Sequence, residues 1–323
     1  MTAPSLQVLI PTYEDWDAAG ALLARLDAAL APEGWRADVL VVDDCSVTPP
    51  GPRLVPAAPA ALARVRTLRL RRNLGHQRAI ALGLAVLADE GAALPVLVMD
   101  GDGEDDPTDA LALLRRFTAE GGAKVVFAGR ARRSEGLAFR AGYQAFKLVH
   151  RLLTGHRVRV GNFSVLPAAA LGQLAVASET WNHYAAAVYK LRLPREVVPV
   201  ARRARLAGAS RMNTVDLVAH GLSAISVFGE AVGVRLVLAC GAAGLLAGVG
   251  LALVALAPAT APAWLPWALA AALALSLQAA CTAAAFVLLV LSGRGGATFL
   301  PARDHAFFHD APRQVHPPAG PAA

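Results

Sequence analysis

Between Arg235 and Arg294 the chain carries no Asp, Glu, Lys or Arg. Within that stretch, residues 236–257 and 265–291 are each long enough to cross a bilayer, which needs roughly 20 apolar residues. The connector between them, APATAPAW, has Pro and no charge, and Trp264 and Trp267 stand where an aromatic belt would lie. Arg235 precedes the first run and Arg294 follows the second, so the positive-inside rule predicts both chain ends in the cytoplasm and the connector outside. A buried hairpin in a soluble core is the alternative, but two runs without an ionisable group are rare in soluble folds. Two spans without an intramembrane charge also make a poor transport pathway.

The rest of the chain has a different character. Over 323 residues the chain is 55% hydrophobic and 17% charged, and its mean hydropathy of +0.45 lies between a soluble enzyme and an all-membrane protein. The net charge is +7. Basic residues gather in 64–78, 130–159 and 192–211, the last close before the apolar region, which favours a membrane surface or lipid phosphate. Zinc spacing, helix-turn-helix and aromatic RNA motifs are all missing, so no nucleic-acid partner is expected. Cys45, Cys240 and Cys281 are too scattered for a disulfide framework or a metal site. The first residues, MTAPSLQVLIPTY, lack the positive and apolar regions of a cleaved signal peptide.

Residues 6–12, 38–43, 65–70, 95–99 and 124–128 read as short buried strands, and 17–30, 77–89 and 108–119 as helices between them. The alternation predicts an α/β fold: a mainly parallel sheet with helices on both faces. Ligands of such sheets bind beyond the carboxyl ends of the strands. The strands here end in polar clusters: Thr12-Tyr13-Glu14, Asp43-Asp44, Asp100 to Asp106, and Gly129-Arg130. Residues 213–231 read as an interfacial helix leading to the membrane, and 312–323, rich in Pro, Ala and Gly, as disordered.

The run Asp100-Gly101-Asp102-Gly103-Glu104-Asp105-Asp106-Pro107 crowds carboxylates that repel one another unless a hard divalent cation neutralises them. Mg²⁺ or Mn²⁺ takes one or two carboxylates and completes its shell with water and phosphate oxygens, so Asp100 and Asp102 read as a metal–diphosphate clamp. A solvated acidic turn capping the helix at 108 is the plainer alternative. Asp43 and Asp44 can bond a ribose hydroxyl or a base N–H, or form a cap or Asx-turn. Asn73-Leu74-Gly75 places a glycine turn at a helix start, where backbone can approach a substrate closely; His76 beside it reads as structural. Arg130, Arg132, Arg133, Arg202, Arg203, Arg205 and Arg211 suit phosphates, or a solvated basic face.

Taken in order, Ile10 to Glu14, Val42 to Ser46, Asn73 to Gly75, Asp100 to Pro107, Gly129-Arg130 and Arg202 to Arg211 resemble the family 2 glycosyltransferases of GT-A fold. The likeness is nearer to the polyprenyl-phosphate sugar transferases and covers roughly residues 5–212. It implies that Pro11, Tyr13, Glu14 and Asp43, with Asp44, Asn73 and Gly75, hold the nucleotide sugar. It places Asp100 and Asp102 at the diphosphate and metal, with Glu104 completing the metal shell. Arg130 would face the diphosphate or acceptor phosphate, and Arg202, Arg205, Ser210 and Arg211 would bind phosphates. Cys45 stands where the family usually has Gly. Gly161-Asn162-Phe163-Ser164 stands where an Asp-Phe-Arg-like segment is frequent. The Trp181-Asn182-His183-Tyr184 run is unusual for the family.

The expected reaction is inverting transfer of a sugar from a UDP- or GDP-linked donor to a polyprenyl phosphate. Metal and arginines would stabilise the leaving diphosphate. A phosphate acceptor is already anionic and needs no strong base; a lipid or glycan hydroxyl, the alternative acceptor, would need one, with Asp106 and Glu179 as candidates. The expected organisation is a GT-A domain over 1–212, a juxtamembrane helix over 213–234, a transmembrane hairpin over 235–293 and a cytoplasmic tail over 294–323. The expected protein is an integral enzyme of the cytoplasmic membrane, with room for a homo-oligomer.

Overall fold

The computed structural model describes residues 4–91, 93–130, 137–156, 160–200, 214–258, 261–295 and 299–317. The chain divides into two compact units. The first comprises Met1–Gly136, Val158–Val227 and Phe299–Ala323; the second comprises Leu137–Arg157 and Phe228–Thr298.

The first unit is built on an eight-stranded sheet. Its strands are β1 (Ser5–Thr12), β2 (Arg36–Asp43), β3 (Leu62–Arg69), β4 (Val96–Val98), β5 (Val125–Arg130), β6 (Ser164–Leu166), β7 (Arg195–Val200) and β8 (Arg313–His316). They lie in the order β7-β5-β6-β4-β1-β2-β3-β8. β1 pairs in parallel with β2 and β4, and β2 with β3, as the buried apolar runs predict. The sheet is mixed rather than wholly parallel, because β6 runs antiparallel between β4 and β5.

Side chains alternate across a strand, so β1 feeds two cores. Leu6, Val8 and Ile10 join Leu22, Leu23 and Leu26 of α1 (Trp16–Leu30) and Leu113 and Leu114 of α3 (Pro107–Ala119) in one apolar cluster. Leu9 points the other way, against α2 (His76–Asp89). A Cβ on Gly83 of α2 would collide with Leu9 and meet Val42 at 3.0 Å, so only glycine lets this helix lie so close to the sheet. Asp27 of α1 ties the connection into β3, accepting the backbone N–H groups of Ala60, Ala61 and Leu62 at 3.0, 2.7 and 3.0 Å.

The tail departs from expectation. Residues 313–316 are not disordered but form β8, antiparallel to β3. A strand at an open sheet edge satisfies backbone groups that would otherwise face water, a tertiary gain that Pro-rich composition does not reveal. After α10 (Pro301–Asp304), Arg71 N–H donates to Phe308 O and Asp310 N–H to Arg69 O. Phe299 and Phe308 flank Trp181 with ring centroids 4.0 and 5.3 Å away, and the Arg78 guanidinium lies 5.3 Å from the Trp181 ring. Trp181, the first residue of the unusual Trp181–Tyr184 run, is thus the seat on which the tail rests. Within it, Ser223 of α7 (Thr214–Ser226) donates to Asn182 O at 2.6 Å.

The second unit holds α4 (Leu137–Thr154), α8 (Gly229–Leu256) and α9 (Leu265–Gly295). Gly229–Leu256 and Leu265–Leu291 are long and apolar enough to cross a membrane, and almost none of their surface is buried within the chain. That is the opposite of a soluble core helix. Gly233 of α8 faces Val287 and Gly244 faces Ser276 and Leu273, so small residues let the two helices pack closely. The interfacial helix expected over 213–231 is instead interrupted: α7 ends at Ser226 and α8 begins at Gly229. The sequence gives no warning of α4. It is amphipathic, with Leu148, Val149 and Leu152 exposed. Its C-terminal carbonyls at Leu152 and Leu153 accept from the Arg235 guanidinium at 3.3 and 3.0 Å. Arg235, in the second turn of α8, therefore caps the end of α4.

Candidate active site

Because β4, β1 and β2 are neighbours running in one direction, their polar C-terminal ends converge on one sheet edge. Each loop there is braced by another. Asp44 N–H donates to Thr12 O at 2.9 Å. The Glu14 N–H donates to Ser46 Oγ at 2.9 Å, and the Glu14 carboxylate accepts from the backbone of Val47 and Thr48. Asp43 Oδ1 accepts from Ser46 N–H, three residues on, at 2.8 Å. Asp44 spends both oxygens on the next loop, accepting from Leu74 N–H and Gly75 N–H at 2.7 and 2.8 Å. Burial pushes the Asp44 carboxyl up; these two bonds oppose the rise, and Asp43 adds to it. Cys45 sits at φ +64, a left-handed conformation that glycine adopts freely. This conformation suits the glycine that the resemblance in sequence implies at this position. Gly75, at φ +92, opens α2.

The acidic loop is pressed against β1. A Cβ on Gly101 would meet Pro11 O at 2.8 Å. Asp105 is buried, and its Oδ2 accepts from Asp100 N–H at 3.0 Å; Asp106 caps α3 through Thr108 N–H and Oγ. Asp102 shapes the loop as well, its Oδ1 accepting from Glu104 N–H at 3.0 Å; Asp100, Asp102 and Glu104 are half-buried. Among the described residues no three His, Cys, Asp or Glu side chains close on a single point as metal ligands. One or two carboxylates suit Mg²⁺ or Mn²⁺ shared with a phosphate ligand, so the donor set fits that arrangement and not a cage made by protein alone.

The antiparallel β6 brings a further group to this edge. Ser164 pairs with Val98, so Asn162 lies just past the end of β4. His76 Nε2 is 3.0 Å from Asp100 Oδ1, and Asn162 Nδ2 is 2.9 Å from the same ring nitrogen. The His76 side chain is 40% exposed; partial desolvation among its neighbours disfavours its charge, but Asp100, with Asp102 and Asp105, outweighs that and holds the imidazole above its ordinary pKa. His76, read from sequence as structural, therefore belongs to the site. Asn162 was visible only as a departure from a family pattern, and Gln77 gave no signal.

Other expected residues fare differently. Tyr13 is two-fifths exposed at the same edge, and Asn73 is exposed beside the Asp44-held loop. Arg130 ends β5, two strands from β4, and its side chain lies outside the described residues, as do Arg132, Arg133, Arg202, Arg203, Arg205, Ser210 and Arg211. Glu179 pairs with Lys190 at 2.8 Å; burial raises its carboxyl, and Lys190 brings it below the usual value. An ion-paired Glu179 and a helix-capping Asp106 make poor general bases.

The family model "Glycosyl transferase family 2" matches residues 7–174, from β1 through α5 (Ala168–Ala175). The chain belongs to glycosyl transferase family 2. The GT-A class expected for its first unit agrees with that membership and with the mixed α/β sheet. Among curated proteins, this family 2 chain is similar to the undecaprenyl-phosphate 4-deoxy-4-formamido-L-arabinose transferase of Klebsiella pneumoniae. They are 30% identical over 148 residues, covering 46% of this chain and 42% of that protein. The protein of the same name from Erwinia tasmaniensis is 30% identical over 138 residues, covering 42% and 41%. The matches thus span less than half the length of these relatives. Among solved structures, mannosyl-3-phosphoglycerate synthase from Rubrobacter xylanophilus aligns at 18% identity and TM-score 0.46, covering 70% of this chain and 72% of that one. Glucosyl-3-phosphoglycerate synthase from Mycobacterium tuberculosis, in complex with Mn²⁺, UDP-glucose and phosphoglyceric acid, aligns at 14% identity and TM-score 0.46, covering 72% and 80%.

Proposed function

We propose that this chain transfers a sugar, with inversion, from a nucleotide-diphosphate donor to a polyprenyl phosphate at the cytoplasmic membrane face. The observation that carries the reading is the pairing of two features in one family 2 chain. A braced acidic loop, Asp100 to Asp106, sits at the ligand-bearing sheet edge, and two bare apolar helices follow. The curated relatives, which bear the name undecaprenyl-phosphate 4-deoxy-4-formamido-L-arabinose transferase, support the choice of acceptor.

In this mechanism an oxygen of the acceptor phosphate attacks the anomeric carbon. The carbon–oxygen bond to the donor diphosphate breaks, and the nucleoside diphosphate leaves. No proton has to be removed, since the phosphate is already anionic. That suits a site whose candidate bases, Asp106 and Glu179, are engaged elsewhere. Asp100 and Asp102 would hold Mg²⁺ or Mn²⁺, which would supply positive charge to the leaving diphosphate; Glu104, expected to complete the shell, does not close on one point with them. Pro11, Tyr13 and Asp43 would line the nucleotide, while Glu14 and Asp44 shape its loops. Arg130, Arg202, Arg205, Ser210 and Arg211 would bind the phosphates.

The C-terminal segment rejoins the first unit's sheet through β8. This supports a hairpin whose two ends lie on one side of the membrane, with the connector opposite. The test is incubation of membranes containing the protein with a panel of radiolabelled UDP- and GDP-sugars, followed by lipid extraction. One donor should label the lipid fraction in the presence of Mg²⁺ or Mn²⁺. Label appearing only in water-soluble product would overturn the reading.

A further inference from the structure

The Asn162 amide has a direction imposed from outside the site. The backbone N–H of Tyr184, which opens α6 (Tyr184–Lys190), donates to Gln77 Oε1 at 2.8 Å. A peptide N–H can only donate, so this bond fixes which end of the Gln77 amide is oxygen. Gln77 Nε2 is then left to donate to Asn162 Oδ1 at 3.0 Å. That in turn aims Asn162 Nδ2 at the far side, 3.5 Å from Asp100 Oδ1 and 2.9 Å from His76 Nε2, a ring nitrogen that accepts from it only in the neutral imidazole. Gln77, Asn162 and Tyr184 are all buried, so water does not offer substitute partners. The anchor is itself fixed: the Tyr184 hydroxyl lies 2.7 Å from Ser164 Oγ, which donates to Asn162 O at 2.8 Å.

We propose that Gln77 and Asn162 are positioning residues: a one-way amide chain, anchored on the Tyr184 backbone, holds a donor against Asp100 Oδ1 and so sets how that carboxylate is presented. This rests on the reading of Asp100 as a diphosphate and metal residue. An Asp at position 162 would set an acceptor against Asp100, so the asparagine and the glutamine behind it form one device. Groups behind a metal ligand typically alter affinity by roughly 10- to 100-fold when changed.

Gln77→Glu tests the direction of the chain without touching the site. The introduced carboxylate still accepts from Tyr184 N–H but cannot donate to Asn162, so the Asn162 amide turns its oxygen toward Asp100. Mn²⁺ affinity of the full-length protein, measured with UDP and separately with GDP, should fall roughly 10- to 100-fold. It should recover as pH is lowered, because the protonated carboxyl donates again; the unmodified protein should show no such recovery. Asn162→Ala should weaken Mn²⁺ binding at every pH, with no recovery. A Gln77→Glu protein with unaltered Mn²⁺ affinity and pH profile, or an Asn162→Ala protein with unaltered affinity, would overturn the proposal. If the unmodified protein binds no Mn²⁺, the metal reading of Asp100 fails by itself. The chain is then judged on the Asn162 side-chain amide resonances of the metal-free protein, which must shift in Gln77→Glu and return at low pH. Unmoved resonances would overturn it.

Discussion

Asp44 Oδ2 accepts the backbone N–H of Gly75 at 2.8 Å, and its other oxygen takes Leu74 N–H. A carboxylate at the end of β2 thereby fixes the start of α2, where His76 meets Asp100. Asp44→Asn keeps the shape but offers one oxygen where two N–H groups need acceptors. Leaving a buried donor unsatisfied costs about 1–3 kcal/mol. The expected outcome is a lower melting temperature together with a raised KM for the donor. An unchanged KM would separate this brace from the site.

Gly101→Ala should disturb the acidic loop while sparing the fold. The new Cβ would stand 2.8 Å from Pro11 O, too close for the loop to keep its place on β1. Transfer should fall by at least about tenfold, the rate equivalent of roughly 1.4 kcal/mol, with circular dichroism unchanged. Activity equal to the unmodified protein would show that the loop has slack the geometry does not indicate.

Cys45→Gly should stabilise. A non-glycine residue in the left-handed region costs about 1–2 kcal/mol, and glycine's extra chain entropy takes back about 0.5–1. A net gain of about 0.5–1 kcal/mol should appear as a raised melting temperature with activity retained. A loss of stability would mean that the thiol makes a contribution beyond its backbone conformation.

Much of this geometry is legible in the sequence. β1, β2 and β4 announce themselves because parallel strands buried on both faces are short apolar runs, and their polar ends mark the ligand edge. β6 is only three residues long, and its importance comes from running antiparallel, which carries Asn162 to Asp100. No local pattern encodes that register. β7 reads REVVPV with alternate residues half-exposed, and β8 exists through pairing with the β3 edge. α4 hides its apolar face among basic residues. His76 looked isolated in sequence because its partners, Asp100 and Asn162, lie far along the chain.

Asp27 makes a pH prediction. Burial disfavours its charge, but the bonds from Ala60, Ala61 and Leu62, aided by Arg36, outweigh that and hold its pKa below the ordinary value. A carboxyl depressed on folding contributes stability that is fully present above its unfolded pKa, near 3.8. That stability is lost as pH falls through the lower folded value. Asp27→Asn should therefore destabilise at neutral pH and show a shallower loss of stability in acid. Parallel acid-denaturation curves for the two proteins would contradict the assignment.

The central claim is that the acceptor is a lipid phosphate. It is tested most directly by supplying purified protein with its labelled nucleotide sugar and either undecaprenyl phosphate or undecaprenol, in detergent with Mg²⁺ or Mn²⁺. The account predicts lipid-soluble label with the phosphate alone, and none from Asp102→Asn. Equal labelling of undecaprenol, or full activity in Asp102→Asn, would contradict it.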